Sequence, residues 1–446
     1  MIYKYTMFGD NIVFDINSNS VYNFDNISYD LVDKVKKYNK SEIIDLFKNK
    51  YSKEEIEETL EEIDQLIDEG YLYSKSADVL PDFDKSSNVK ALCLHVAHTC
   101  NLRCKYCFAD EGKYNLSKIL MDYETAKKSI DFVIKSSGNR KNIEIDFFGG
   151  EPLMNFDVVK ETVSYARSLE KSKNKNFRFT ITTNGLLLNE DNIKYLNENM
   201  SNIVLSIDGR KRIHDNMRID TKNNGSYDKI LSNFKKIAKL RDQKDYYVRG
   251  TFTRYNLDFS QDVIHLLNEG FKQISVEPVV SDSNSGFEIR EKDIEKIFEE
   301  YEKLAKKYVS NCKKGKEFNF FHFMIDLDSG PCVLKRSSGC GAGFDYLAVS
   351  PDGDIYPCHQ FVGKEEFKMG NVYKDSVNEK IENKFKNSNI YTKKDCDDCW
   401  AKFLCSGGCS ANSYLFNKNI DIPYNISCKM QRKRLECALW IKTQIY

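Results

Sequence analysis

Apolar residues change their period several times along the chain, and each change predicts a change of element. In residues 2–24 the runs IYKYTMF, NIVFDIN and SVYNFD alternate roughly every second position, separated by Gly9-Asp10 and by the polar stretch Asn17-Ser18-Asn19-Ser20. That is the pattern of short strands joined by turns. Three helices are predicted next. In the third, Ser52 and Glu55 make a capping-box pair, Ile56, Leu60, Ile63 and Ile67 recur on one face, and Gly70 supplies a stop. Strands followed by three helices suggest a small winged-helix shape. Residues 75–88 (KSADVLPDFDKSSN) are polar, hold no period and read as a linker.

From Val89 strands and helices alternate. ALCLHVAH, IEIDFFG, FRFTITT, IVLSID, YYVRGTFT and QISVEPV read as nearly continuous apolar strands, with helical periods starting near Asp122, Phe156, Asp191, Tyr227 and Ser260. Such strands are expected in a parallel sheet covered by helices, and six strand-helix units with right-handed crossovers curl into a partial barrel. Unusual polar residues gather at the C-terminal strand ends: His98 to Cys107, Gly149-Gly150-Glu151-Pro152, Thr182-Thr183-Asn184-Gly185, Ser206-Ile207-Asp208-Gly209, Thr253-Arg254 and Glu277-Pro278. Any one of these could be a plain turn. In a barrel, however, all six ends open on one mouth, where active sites are built. Beyond about Gly315 the pattern dissolves into loops with one clear hairpin, YLAVS-PDG-DIYPC. The expected fold is therefore α/β: a winged-helix domain over 1–78, a linker over 79–88, a partial (β/α)6 TIM-like barrel over 89–314 and a loop-rich domain over 315–446.

Composition narrows the function. The 446 residues suffice for two to four domains, and 41% hydrophobic with 13% aromatic residues argue against disorder. With 67 basic side chains against 67 acidic ones, no global field draws the chain to nucleic acid or an anionic membrane. A winged helix invites a DNA reading, yet Glu54 to Glu69 hold nine acidic residues and no basic one, which would repel phosphates. A peptide is the better partner, and a domain that only packs on the rest is the plain alternative. No apolar run is long enough to span a bilayer, and MIYKYTMFGD has neither a basic nor an apolar signal region, so a cytoplasmic protein is expected. In that reducing compartment fourteen cysteines read as metal ligands rather than disulfides.

Cys100, Cys104 and Cys107 lie in HTCNLRCKYCF, a C-x3-C-x2-C loop past the first barrel strand. Three thiolates from one loop can hold three irons of a [4Fe-4S] cube and leave the fourth iron open to a substrate or cofactor. A zinc site finished by His98 or His95 is the alternative, although structural zinc favours closed C-x2-C pairs. Nine cysteines fall beyond Gly315. Cys340, Gly353 and Cys358 are spaced C-x12-G-x4-C, Cys396, Cys399, Cys405 and Cys409 follow as C-x2-C-x5-C-x3-C, and Cys428 comes last. A zinc knuckle would leave Cys340 and Cys358 unexplained. Cys93, Cys312 and Cys437 fit no pattern and are expected as buried small residues.

With Tyr106 and Phe108 in the first motif and GGEP after the second strand, the chain resembles the radical S-adenosylmethionine (SAM) enzymes. The resemblance implies that SAM docks on the open iron and that one electron cleaves it to methionine and a 5'-deoxyadenosyl radical. By motif, Gly149, Gly150 and Glu151 would contact the methionine end, Glu151 its ammonium. Ser206 with Asp208 would face the ribose, Arg218 of HDNMR the carboxylate, and Tyr106 would belong to the same cofactor site. For Arg218 a surface salt bridge is the plain alternative. The later cysteines are similar to the SPASM extension of peptide-modifying radical SAM enzymes, which implies two auxiliary [4Fe-4S] clusters. Cys340, Cys358 and Cys409 would hold the first, with Cys332 or a ligand from elsewhere as the fourth, and Cys396, Cys399, Cys405 and Cys428 the second. Over essentially the whole chain, NIVFDINSNSVYNFD, PCVLKRSSGCGAGFDYLAVSPDGDIYPCHQFVG and MGNV look like the maturases of SCIFF peptides, Cys-rich ribosomal peptides in which cysteines are joined to carbon atoms as thioethers. That implies a Cys-rich precursor peptide whose leader adds as a strand to the N-terminal sheet, and a flavodoxin- or ferredoxin-type electron donor. A formylglycine-forming sulfatase maturase is the enzymatic alternative, and a colourless zinc-binding adaptor the non-enzymatic one.

Overall fold

The computed structural model describes residues 1–75, 88–114, 116–281, 285–327, 337–374 and 377–445; Cys332 and nearly all of the expected linker lie outside them. Strands β1 (Ile2–Met7), β2 (Asp10–Asp15) and β3 (Val21–Phe24) pair antiparallel in that order, as their alternation predicts. Helices α1 (Asn26–Leu31), α2 (Lys40–Phe47) and α3 (Lys53–Asp68) follow, and the Ser52–Glu55 capping box forms as expected. Ile56, Leu60 and Ile63 are buried against Val13 of β2 and Leu31 of α1, whereas Ile67 is only partly covered. Burial of such side chains contributes about 1.5–3 kcal/mol each, which fixes the helices on one face of the sheet.

The barrel alternates β4 (Ala91–Ala97), α4 (Tyr123–Ser136), β5 (Asn142–Gly149), α5 (Phe156–Lys173), β6 (Asn176–Thr183), α6 (Glu190–Asn199), β7 (Asn202–Ser206), α7 (Lys211–Met217), α8 (Tyr227–Leu240), β8 (Tyr246–Phe252), α9 (Phe259–Asn268), β9 (Gln273–Pro278) and α10 (Ile294–Cys312). Strands β4 to β9 are parallel neighbours in chain order. Contrary to the expectation of strands buried on both faces, β5 to β8 alternate. Ile143, Ile145, Phe147, Phe177, Phe179 and Ile181 are buried among the helices, while Glu144, Asp146, Arg178, Thr180 and Arg249 face the other way and keep part of their surface open. An incomplete barrel encloses space instead of filling it, so its inner face can be polar.

Short strand β10 (Asn319–Phe320) extends the β9 edge. At the opposite edge the expected hairpin forms as β11 (Tyr346–Val349) and β12 (Asp354–Tyr356), with β13 (Gly370–Asn371) outside it. Strand β11 lies parallel to β4, so barrel and C-terminal region share one ten-stranded sheet. Helices α11 (Glu379–Lys386), α12 (Lys402–Cys405), α13 (Ser410–Asn417) and α14 (Asn425–Ile445) complete the chain. The N-terminal sheet docks on this region: the Tyr3 ring stacks on Trp400 at 4.0 Å, the Tyr3 hydroxyl donates to Glu436 Oε1 at 2.6 Å, and Trp440 Nε1 donates to Asp10 Oδ2 at 2.7 Å. No helix among the described residues is long and apolar enough to cross a membrane.

Candidate active site and cysteine groups

The C-terminal ends of β4 to β9 open on one cavity. Cys100, Cys104, Tyr106 and Cys107 line it, with Gly149 to Glu151, Thr182 to Asn184, Ser206, Arg218 and Glu277. The fifth strand end differs from its expectation. Thr253 is fully buried with its amide on Asn256, and Arg254 turns toward Glu288, so neither reaches the cavity. Arg249 and Thr251 of β8 line it instead, because the lumen-facing positions precede the strand end. An arginine inside the otherwise apolar YYVRGTFT was the available signal. Arg249 Nη2 meets Glu277 Oε2 at 3.1 Å; burial alone would raise the Glu277 carboxyl, but Arg249 and the nearby His322 and Arg434 hold it down at about 2. His359 and Gln360, beyond β12, close the wall, and periodicity gave no hint of them.

The cysteine loop is fastened from outside. Arg103 and Lys105 donate their amides to the carbonyls of Ile219 and Met217 at 2.7 and 3.0 Å, so α7 and the turn after it carry the loop. Gly150 lies under it: a Cβ there would sit 2.1 Å from the Thr99 carbonyl oxygen, which only glycine avoids. Leu102 N and Asn184 Nδ2 approach Cys100 Sγ at 3.4 and 3.6 Å, donors suited to a thiolate. Burial pushes the Cys100 and Cys104 thiols up to about 12, and the other thiols of the loop push the same way, against Arg218 in the case of Cys104. Two buried thiols whose anions are disfavoured by a neighbouring thiol would suit a bound cationic centre such as iron. His95 and His98 do not join them: Nδ1 and Nε2 of the pair lie 3.2 Å apart, both rings are buried, and the His98 ring stacks on Tyr114. Neither histidine lines the cavity that the three cysteines line.

The other expected cofactor residues separate into two kinds. Ser206, Tyr106 and Arg218 face the cavity, whereas Asp208 is fully buried behind them. Asp208 accepts from the Tyr106 hydroxyl at 2.7 Å, Arg218 Nε at 3.0 Å and the Thr251 amide at 3.0 Å. Asp208 itself does not line the cavity and instead holds Tyr106, Arg218 and the Thr251 amide in place. Arg218 is 9% exposed, so the surface salt bridge is overturned: its partner is internal. Glu151 is also buried, with Oε1 accepting from Thr183 Oγ1 at 2.7 Å and Leu153 N at 3.1 Å, and Oε2 from Asn184 N at 2.7 Å. Burial raises its carboxyl to about 7 against the pull of those bonds. Glu151 thus ties the end of β5 to the end of β6 at the cavity wall.

The C-terminal cysteines fall into two groups. Cys396, Cys399, Cys405 and Cys428 line one cavity of their own, and burial with mutual repulsion lifts Cys396 to about 12 and Cys428 to about 11. Cys358 is raised by burial and then by Cys409 and Cys340, its electrostatic neighbours. Both groups suit a cationic cluster. Cys93 and Cys437 are buried as expected, but Cys312 is only half-buried at the end of α10.

Two family models match parts of the chain. Residues 94–248 match the Radical SAM superfamily, and residues 340–400 match SPASM, an iron-sulfur cluster-binding domain. A cysteine-type anaerobic sulfatase-maturating enzyme of Clostridium novyi is 26% identical over 332 residues, 70% of this chain and 85% of the relative. Among solved structures, native anSMEcpe with bound AdoMet and Cp18Cys peptide superposes with a TM-score of 0.63 at 20% identity, covering 78% of this chain and 96% of that one. Streptococcus suis SuiB bound to precursor peptide SuiA superposes at 0.50 and 16% identity, covering 90% and 92%.

Proposed function

We propose that this chain, which carries a radical SAM domain followed by a SPASM domain, forms sulfur-to-carbon cross-links in a ribosomally made Cys-rich precursor peptide in the cytoplasm. The observation that carries this reading is the shared wall of the mouth cavity. The same cavity is lined by Cys100, Cys104 and Cys107 and by His359, which follows Cys358 in the chain, so a peptide seated there would have both cysteine groups near it. Cys100, Cys104 and Cys107 would hold the SAM-binding [4Fe-4S] cluster, Cys340, Cys358 and Cys409 the first auxiliary cluster, with Cys332 the candidate fourth ligand, and Cys396, Cys399, Cys405 and Cys428 the second. When bound, these groups supply a 5'-deoxyadenosyl radical that removes one hydrogen atom, and a sink for the electron released, with a proton, as a thiol sulfur joins that carbon.

The protein's own residues bind and orient. Arg218, fixed by Asp208, presents a cation to a carboxylate, and Ser206 a hydroxyl to a sugar. Gly149 and Gly150 let the end of β5 pass directly against the backbone of Ala97 and Thr99, which brings the cysteine loop over the cavity. The Arg249–Glu277 pair offers the peptide a donor and an acceptor on the barrel's inner face. Leader capture is assigned to residues 1–78: β1 and β3 are the outer strands of their sheet, and an extended peptide can add to such an edge. Tethering there holds the core peptide at high effective concentration near the mouth. Two structural neighbours are described with bound peptides, which supports a peptide substrate. A flavodoxin- or ferredoxin-type protein is the proposed reductant.

The deciding experiment incubates anaerobically reconstituted enzyme with SAM, reductant and a Cys-rich precursor, and maps the product by tandem mass spectrometry. A thioether costs two hydrogens per link and blocks one thiol from alkylation, whereas formylglycine formation discards the sulfur of a cysteine. Cys340→Ala or Cys409→Ala is expected to abolish the link while 5'-deoxyadenosine still forms. Protein without an iron-sulfur chromophore, or with one but releasing no 5'-deoxyadenosine, refutes the proposal.

A further inference from the structure

We propose that Lys393 is a shared counter-cation for the two C-terminal cysteine groups, a positioning residue whose ammonium raises the reduction potentials of the clusters they hold. The inference rests on the reading that those groups bind auxiliary clusters. Lys393 is only 5% exposed. Its Nζ donates to the Gly407 carbonyl at 2.9 Å and approaches Ser410 Oγ at 3.4 Å. Gly407 stands between Cys405, of the four-cysteine group, and Cys409, of the three-cysteine group, and Ser410 follows Cys409 directly. The ammonium is therefore fastened to the one stretch of chain that serves both. Gly407 allows the approach: at φ +80° a Cβ would stand 3.3 Å from Lys393 Cδ.

A buried lysine is rare unless an anion compensates it. The charges that bear on Lys393 are Cys396 and Cys405 of one group, Cys409 of the other, and Asp421. Burial lowers the pKa of the Lys393 ammonium and these groups pull the other way, so the ligand thiolates of both cluster sites would supply the compensating negative charge. A cluster gains negative charge when reduced, and its potential follows local charge and hydrogen bonding. A fixed cation between two clusters favours the reduced form of each, so the pair accepts an electron more readily than it would without Lys393.

The test is a potentiometric titration followed by electron paramagnetic resonance on reconstituted wild type, Lys393→Met and Lys393→Gln. At a potential that half-reduces the wild-type auxiliary clusters, both variants are expected to show a several-fold smaller reduced fraction, while the signal of the Cys100/Cys104/Cys107 cluster titrates unchanged. Auxiliary curves that coincide with wild type, or a SAM-cluster curve that moves with them, overturn the role of Lys393. Should Lys393→Met assemble poorly, Lys393→Gln, which keeps a donor for Gly407 without the charge, decides by the same two results. Iron and sulfide analysis of the wild type separates the two levels: clusters missing from the C-terminal groups sink the underlying reading, whereas full clusters with unmoved potentials sink this inference alone.

Discussion

Asp208 illustrates how much a single carboxylate can organise. It joins the Cys104–Cys107 segment through Tyr106, the turn after α7 through Arg218, and β8 through the Thr251 amide, all without contacting the cavity itself. Asp208→Asn removes the charge that balances Arg218, which is itself nearly buried. Breaking a buried pair from one side typically costs about 3–5 kcal/mol, because the remaining charge has no compensation. The expected result is a lowered midpoint of denaturant unfolding together with weaker SAM binding by calorimetry, whereas a ribose contact alone would weaken binding at unchanged stability. Sequence spacing placed Asp208 beside Tyr106 and Arg218, which line the cavity. It could not tell a residue that touches the cofactor from one that holds a neighbour in place, since both occupy strand ends.

The element that matters most to the site is β11, which zips the C-terminal hairpin to the edge strand β4. Ala348 sits mid-strand opposite Cys93, between β4 and β12. Ala348→Pro removes a ladder donor from a central strand, where proline is not accommodated. The hairpin should then release Cys358, so iron content is expected to fall by about one four-iron cluster while the Cys100/Cys104/Cys107 cluster persists, as read by metal analysis and by SAM cleavage. The hairpin itself was legible from period-two alternation around Pro351-Asp352-Gly353, and the six barrel strands from their apolar runs. Its attachment to β4 was not, because edge-to-edge pairing leaves no periodic mark in either strand. Helix α7 escaped for a different reason: at seven residues it is too short to show a helical period. Arg249 and Thr251 were missed because a strand end was placed by its turn residues, although the inner face of an open barrel begins earlier.

Over the whole molecule, buried neutral histidines set a pH limit. Burial lowers His214 to about 4 and His322 to about 3, and holds His95 well below its usual value. The unfolded chain takes up these protons near 6.5, whereas the folded chain resists until about 4 or below. Their contribution to stability is therefore complete above pH 6.5 and is lost as the pH falls from there toward 4, by about 1.4 kcal/mol per pH unit for each site. Melting temperatures measured from pH 7 to 5 should fall, and fall less steeply in a His214→Gln variant. At the same scale, the N-terminal sheet has little freedom to swing. The Tyr3–Trp400 stack, the Tyr5 hydroxyl on the Glu436 carbonyl and the Trp440–Asp10 bond clamp it to the C-terminal region. For a peptide tethered there, the clamp acts as a ruler. An extended spacer gains at most about 3.3–3.6 Å per residue, so trimming it below the fixed offset to the barrel mouth strands the nearest modification site abruptly, while surplus length is tolerated at a slowly growing entropic cost.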